Sequence, residues 1–255
     1  MKDLTIIVPV KEYKASDKTL LSKAISSVKV NDFDYEIIVV GPDSVVKKVK
    51  EDYKDRKDLK TIVNKGNTDI CSQVNLAVDK AGEYFTVLEF DDWFSETWFK
   101  NVKHHIINES EPISLYLPLI EVVDFESGEP VGYINEAVLA SSFSDRLGYI
   151  DAQCIEDFSN FNLTGGVFKT SDFVEVGKLK SSMKLSFWYE YLLRATQNAK
   201  VTYVIPKVGY YHTIGRPGSI VETCKKELSD EEAKWWYELA RKEYFFKEDR
   251  GKTYE

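Results

Sequence analysis

The chain has no apolar run approaching membrane-spanning length, so nothing in its 255 residues anchors it in a bilayer as a helix. It is also poor in cysteine. Cys71, Cys154 and Cys224 are odd in number and far apart, with no CxxC or Cys/His spacing among them. That excludes a disulfide scaffold and a zinc centre, and leaves reduced thiols of the kind found in cytoplasm. Met1-Lys2-Asp3 leads straight into a strand-like run too short and too soon bounded for a signal peptide, so the expected location is cytoplasmic. An excess of positive charge is missing as well. With 34 bases mixed among 42 acids the net charge is -8, which argues against a broad basic face tracking phosphate backbones, though not against a local groove for nucleic acid. There is no internal repeat and no low-complexity tract.

What the chain does have is a 43% hydrophobic content and a length that one α/β domain fills. Leu4-Thr5-Ile6-Ile7-Val8 is a continuous β-rich run stopped by Pro9, the signature of a strand buried on both faces of a parallel sheet. Leu20, Leu21, Ala24, Ile25 and Val28 then recur at helical spacing, and Glu36-Ile37-Ile38-Val39-Val40 gives a second strand ended by Gly41-Pro42. The pattern repeats with a charged helix around 44–53, a strand at Lys60-Thr61-Ile62-Val63 and a helix from about Thr68 to Lys80. A fourth strand, Tyr84-Phe85-Thr86-Val87-Leu88, runs into Glu89-Phe90-Asp91-Asp92. Such alternation predicts an open sheet covered on both faces, with ligands at the carboxyl ends of its strands. After residue 110 the alternation loosens into strand-like stretches at 113–123 and 131–134, a loop-rich region to about 163, a helix at about 185–198 and a strand at 201–205. Ser229-Asp230-Glu231-Glu232 has capping-box spacing and opens an aromatic-rich helix with Trp235, Trp236, Tyr237, Tyr244, Phe245 and Phe246. The expected organisation is a catalytic domain over 1–225 and a helical extension over 226–255 packed on it. Aromatic residues at helical spacing pack against a core more often than they bind a partner.

Three carboxylates within four residues raise one another's pKa unless a cation neutralises them. A divalent ion answers that need. Hard oxygen ligands suit Mg2+ or Mn2+, which take the rest of their coordination from water and a substrate diphosphate. The competing explanation is that Asp91 and Asp92 cap a helix beginning near Trp93 and Phe94.

The order Ile7-Val8-Pro9-Val10, Tyr35-Glu36-Ile37-Ile38-Val39-Val40, Asn64-Lys65-Gly66, Asn75-Leu76-Ala77 and Gly82-Glu83-Tyr84-Phe85-Thr86-Val87-Leu88-Glu89-Phe90-Asp91-Asp92 resembles the family 2 glycosyltransferases. Asn162-Leu163-Thr164-Gly165-Gly166-Val167-Phe168 and Tyr210-Tyr211-His212 extend the likeness to about residue 220. The resemblance implies the GT-A fold of nucleotide-diphospho-sugar transferases, an open mixed but mainly parallel sheet with helices on both faces. It implies a UDP-sugar or related donor, Mn2+ or Mg2+, and inversion at the anomeric carbon. By the same resemblance Pro9, Val10 and Glu12 line the base. The Glu89-Phe90-Asp91-Asp92 segment stands as the DXD motif, with Glu89 on the ribose, Asp91 on the metal and Asp92 orienting its neighbours or the sugar. Glu89 departs from the family's aspartate by one methylene.

Asp43 stands where the family has an acidic pair after the second strand; its alternative role is a turn aspartate beside Pro42. Lys65 belongs either near the phosphates or in solvent. Tyr210 to Ser219 is too broken for helix, and similar segments fold over the diphosphate, with His212 as a further metal ligand and Arg216 on phosphate oxygens. His104-His105 reads as the polar side of a helix. The acidic base that the family places at the start of a late helix is replaced by Phe187-Trp188. Glu190 is the nearest carboxylate, although it suits an i,i+4 pair with Arg194 equally well, and Glu156-Asp157 is the second candidate.

The function expected is transfer of a sugar to an unidentified acceptor: a glycan, a small molecule or a modified nucleic acid base. A non-catalytic nucleotide-sugar or glycan-binding module is the alternative. A sugar nucleotidyltransferase fits less well, because Pro9-Val10-Lys11-Glu12-Tyr13 lacks the glycine-rich phosphate loop.

Overall fold

The computed structural model describes residues 2–143, 145–219, 222–223, 227–242 and 244, with only the backbone of Asp157. Cys224, Phe245, Phe246 and the Asp157 side chain lie outside the described residues. The first half is built as the hydrophobic pattern predicts. Strands β1 (Leu4–Pro9), β2 (Tyr35–Gly41), β3 (Leu59–Val63) and β4 (Tyr84–Val87) alternate with helices α1 (Lys18–Ser26), α2 (Asp43–Asp52) and α3 (Ile70–Val78). β1 pairs in parallel with β2 on one side and β4 on the other, and β3 continues beyond β2. Leu4, Ile6 and Val8 enter one core cluster while Ile7 enters the other. This two-sided burial is why the strand reads as an unbroken apolar run. The chain leaves β1 towards β2 and returns on its other side at β4, so the order reverses there and a crevice opens beyond the carboxyl ends of β1 and β4.

The second half comprises β5 (Trp93–Phe94), α4 (Trp98–Asn108), β6 (Leu115–Asp124), β7 (Pro130–Ile134), β8 (Tyr149–Ile150), α5 (Ala152–Asp157), β9 (Val167–Lys169), α6 (Thr170–Glu175), α7 (Phe187–Gln197), β10 (Thr202–Ile214) and α8 (Asp230–Lys242). The sheet order is β3-β2-β1-β4-β9-β6-β10-β5, with β7 on β6 and β8 on β10. β9 is antiparallel to both β4 and β6, and β10 is parallel to β6. β1, β2, β3, β4, β6 and β10 therefore run one way, and the sheet is mixed but mainly parallel.

Two elements differ from the sequence pattern. No helix begins at Trp93: Trp93–Phe94 form β5, paired with Tyr211 and Tyr210, and the helix starts at Trp98. Helix capping thus does not explain Asp91 and Asp92. The strand expected at 201–205 runs on to Ile214 through bulges around Val208, so Tyr210 to His212 are strand and not loop. Gly209 sits at this irregularity because a Cβ there would come within 2.3 Å of the Trp98 ring. In α8, the Glu232 N–H donates to Ser229 Oγ at 3.2 Å, as the capping spacing predicts. Trp236 and Tyr237 pack against the core, with Tyr237 stacked on Tyr189 of α7 at 5.3 Å, while Trp235 stays 54% exposed. His104 and His105 lie on α4, bonded to Asn108 and Glu109 one turn on. Among the described residues no helix is long and apolar enough to cross a membrane.

Candidate functional site

The acidic segment leaves the end of β4 and turns into β5, and β10 lies against it. Pairing of Trp93 with Tyr211 and Phe94 with Tyr210 brings Asp92 beside His212 and Thr213. Asp92 is only 1% exposed, and both its oxygens are engaged. Oδ1 accepts from the Thr213 N–H at 2.7 Å, and Oδ2 lies 2.9 Å from His212 Nδ1. Thr213 Oγ1 donates to the Asp91 carbonyl at 2.8 Å. Behind them, the Glu89 N–H donates to the Tyr210 hydroxyl at 3.1 Å, and Thr164 Oγ1 lies 3.3 Å from Glu89 Oε1. Thr164 is steered by Asn162, whose Oδ1 accepts from both its N–H and its hydroxyl. Gly165 follows with φ +77°, packed so closely on Tyr210 that a side chain there would overlap its ring.

The electrostatics follow from crowding. Burial raises the Glu89 carboxyl pKa, the Asp92 charge raises it further, and His212 partly relieves it. Asp91 is raised by burial and by Asp92, against the opposing pull of Arg216. For His212, burial favours the neutral ring, but Asp92, Glu89 and Asp91 outweigh it and lift the imidazole to about 9. The described residues whose ligand atoms all lie within 4.8 Å of one another are Glu89, Asp92 and His212. Two carboxylates and an imidazole are a donor set that fits Mn2+ and, with more water, Mg2+. A cation would lower the mutual repulsion that raises these carboxyl groups.

Asp91, expected as the metal ligand with His212, is outside that group. Arg216 Nε donates to its carboxylate, and the guanidinium lies 4.7 Å from the centre of the Phe90 ring. Arg216 therefore meets the acidic segment from above. Its loop turns through Gly215 and Gly218, both at positive φ.

The remaining expected donor residues stand at the same carboxyl edge with unequal roles. Pro9 ends β1 half-buried. The Val10 side chain is fully buried in the core and cannot line a base, while its N–H is shared by the Val40 carbonyl and Gln73 Oε1 at 2.9 and 3.0 Å. Glu12 is exposed and pairs with Lys14 at 3.4 Å. Asp43 opens α2, exposed, with Lys47 2.7 Å away one turn later, a solvent-screened pair that yields readily to a ligand. Lys65 is exposed in a turn held by Asn64, whose Oδ1 accepts from the Gly66 N–H.

Sequence reasoning missed Gln73, which ties the segment after β1 to the start of α3, accepting from the Val10 N–H and donating to the Thr68 carbonyl. Its signal was a glutamine in the apolar stripe of α3. Lys23 was missed too. Its ammonium sits 3.0 Å over the Trp93 ring, with its pKa lowered by burial and partly restored by Asp92.

Glu190, the first candidate for the base, is not available. It is 1% exposed; Arg194 binds both its oxygens at 2.9 and 2.8 Å, Lys180 lies at 3.0 Å and the Tyr244 hydroxyl donates at 3.0 Å. Burial alone would raise its pKa, but Arg194 and Lys180 outweigh that and hold it below the usual range. A saturated, buried carboxylate cannot take a proton from an acceptor hydroxyl. The second candidate, Asp157, ends α5, where Glu156 is half-buried.

No protein-family model matches this sequence, and no curated protein matches it. Solved structures do. S. aureus TarS 1–349 in complex with UDP-GlcNAc is similar at a TM-score of 0.67 and 18% identity, over 93% of this chain and 65% of that one. The same protein in complex with UDP gives 0.61 and 18%, over 83% of this chain and 60% of that one. The full TarS structure gives 0.57 and 17%, over 98% of this chain and 45% of that one. This chain thus spans less than two thirds of the chains it matches. At such identity the likeness is one of fold, and the fold is GT-A-like.

Proposed function

We propose that the chain is a metal-dependent, inverting glycosyltransferase of the family 2 type that uses a UDP-sugar. The observation that carries this reading is the convergence of Glu89, Asp92 and His212 at the carboxyl edge of a GT-A-like sheet, beside the crevice between β1 and β4. The solved TarS complexes hold UDP-GlcNAc and UDP, which favours uridine as the base here. A bound Mn2+ or Mg2+ would offset charge on the diphosphate leaving group, held by Asp92 and His212 with Glu89 shared between the ion and the ribose. Arg216 would exchange Asp91 for diphosphate oxygens, a two-pronged contact its guanidinium suits. Phe90 then supports the guanidinium, and Asp91 holds it in place between turnovers. With Glu190 committed elsewhere, the role of proton acceptor passes to the second candidate, the Glu156-Asp157 pair, of which the Asp157 side chain lies outside the described residues.

The second reading is a nucleotide-sugar-binding module without turnover. It is favoured by one observation: Phe187-Trp188 occupy the acidic positions of α7, and Trp188 is buried against Phe168. Calorimetry of UDP with and without Mn2+ tests the shared premise, and Asp92→Ala should abolish metal-dependent binding. Absence of UDP binding with the metal present overturns both readings. A panel of UDP-sugars then separates them, since release of UDP identifies an enzyme.

A further inference from the structure

Across four strands that adjoin the site, one row of side chains has no place in the donor reading. The register sets Trp93 of β5 opposite Tyr211 of β10, Tyr211 opposite Glu121 of β6, and Glu121 opposite Tyr133 of β7. The side chains meet as the backbones do. Trp93 and Tyr211 stack at 5.2 Å with 12° between their planes, and the Tyr133 hydroxyl donates to Glu121 Oε2 at 3.3 Å. Burial lifts the Tyr211 hydroxyl pKa, and the nearby Glu121 and Tyr133 add to the shift. Lys23 closes the outer face of Trp93.

Side chains along a strand alternate in direction, so Tyr211 turns to the other side of β10 from His212. The row still begins one residue from Asp92 and one from His212. It is open to solvent: Trp93, Tyr211 and Glu121 are half-buried and Tyr133 is 50% exposed. Among the described residues no lysine or arginine forms an ion pair with Glu121, in contrast to saturated Glu190. Cross-strand packing accounts for the stacked pair. It does not account for a half-buried carboxylate lying between two tyrosines without a counter-ion.

We propose that the row Trp93, Tyr211, Glu121 and Tyr133 is a saccharide-binding strip that takes a neutral acceptor chain on the face of the sheet opposite His212, starting one residue from Asp92. Sugar hydroxyls donate to the Glu121 carboxylate, and the apolar C–H face of a sugar ring lies on the exposed Tyr133 ring, the pairing for which an aromatic body with a polar tip is suited. The Glu121 carboxylate, hydrogen-bonded by Tyr133 but facing no cation among the described residues, disfavours polyanions, because like charges repel where the partner is desolvated. The acceptor role rests on the donor reading above; the binding itself does not.

The test titrates chitotetraose, cellotetraose and a heparin-derived tetrasaccharide into the full chain holding UDP and Mn2+, followed by ligand-observed NMR and calorimetry. A neutral tetrasaccharide should bind. Tyr133→Ala and Glu121→Ala should each weaken it about fivefold or more, while Tyr133→Phe, which keeps the ring, stays within roughly twofold. UDP affinity should be the same in all three variants, which also shows that they fold. Binding of none of the three saccharides, preference for the heparin fragment, or neutral binding undiminished in both alanine variants overturns the proposal. If UDP does not bind, the donor reading has failed, and the same titration on the chain alone still decides whether the strip binds saccharide.

Discussion

Asp92 and Glu190 are both buried carboxylates, yet their surroundings give them opposite uses. Asp92 shares its cluster with other acids and one imidazole, so its charge is under-compensated and a cation is welcome. Asp92→Asn or His212→Ala should therefore weaken Mn2+-dependent UDP binding by at least about tenfold, whereas Asp91→Asn should act mainly through Arg216 and leave the metal requirement in place. Calorimetry at fixed UDP with varied Mn2+ separates the two effects. Glu190 is over-compensated by Arg194 and Lys180, and Arg194 also donates to the Val176 and Lys178 carbonyls. Glu190→Gln takes the carboxylate from the largely buried Arg194 guanidinium and should cost about 3 kcal/mol or more in urea unfolding at neutral pH, with UDP affinity unchanged. Its folded pKa lies below the unfolded value. The stability it contributes is thus complete above about pH 4.3 and is lost as pH falls through the folded value. Wild type should therefore lose stability more steeply than the glutamine variant on acidification. The acidic segment was legible from residue types, and His212 from the resemblance to the family. That His212 would meet Asp92 rather than Asp91 was not, since the partners lie 120 positions apart and only strand pairing decides which carboxylate faces the ring.

At the scale of elements, β1, β2 and β4 were legible because each is largely buried and reads as a mainly apolar run, and the edge strand β3 because Thr61, Ile62 and Val63 are β-branched. β5 was not, since two aromatic residues carry no period and look the same at the start of a helix. β10 was seen only to Ile205 because Pro206, Lys207 and Gly209 interrupt the pattern at the bulge, where strands admit such residues. That irregularity is a sensitive point. Gly209→Ala drives a methyl into the Trp98 ring and should destabilise by about 1–3 kcal/mol, the usual cost of overpacking. Because the displaced segment leads directly to Tyr210 and His212, metal-dependent UDP binding should weaken in the same variant. Denaturation and calorimetry on one preparation would show both effects together.

For the whole molecule, the candidate site joins the first half of the sheet to β10, so a ligand bound there and the fold should be thermodynamically linked. UDP with Mn2+ at about a hundred times its dissociation constant should stabilise the chain by about 2.7 kcal/mol, a rise in melting temperature of roughly 5–11 °C for a domain of this size. Without the metal the rise should vanish. α8 contributes in another way, through Trp236 and Tyr237 packed against the core, with Tyr244 beyond its end bonded to Glu190, so Trp236→Ala should lower the melting temperature while leaving the ligand-induced increment intact. The place of β10 also has a meaning in time. It fills a slot between β6 and β5, both of which emerge from the ribosome well before it. Until that strand inserts, Asp92 lacks His212 and Thr213, and the edges of β5 and β6 are open. Asp92 therefore gains both partners of its carboxylate only once β10 has paired with both neighbours.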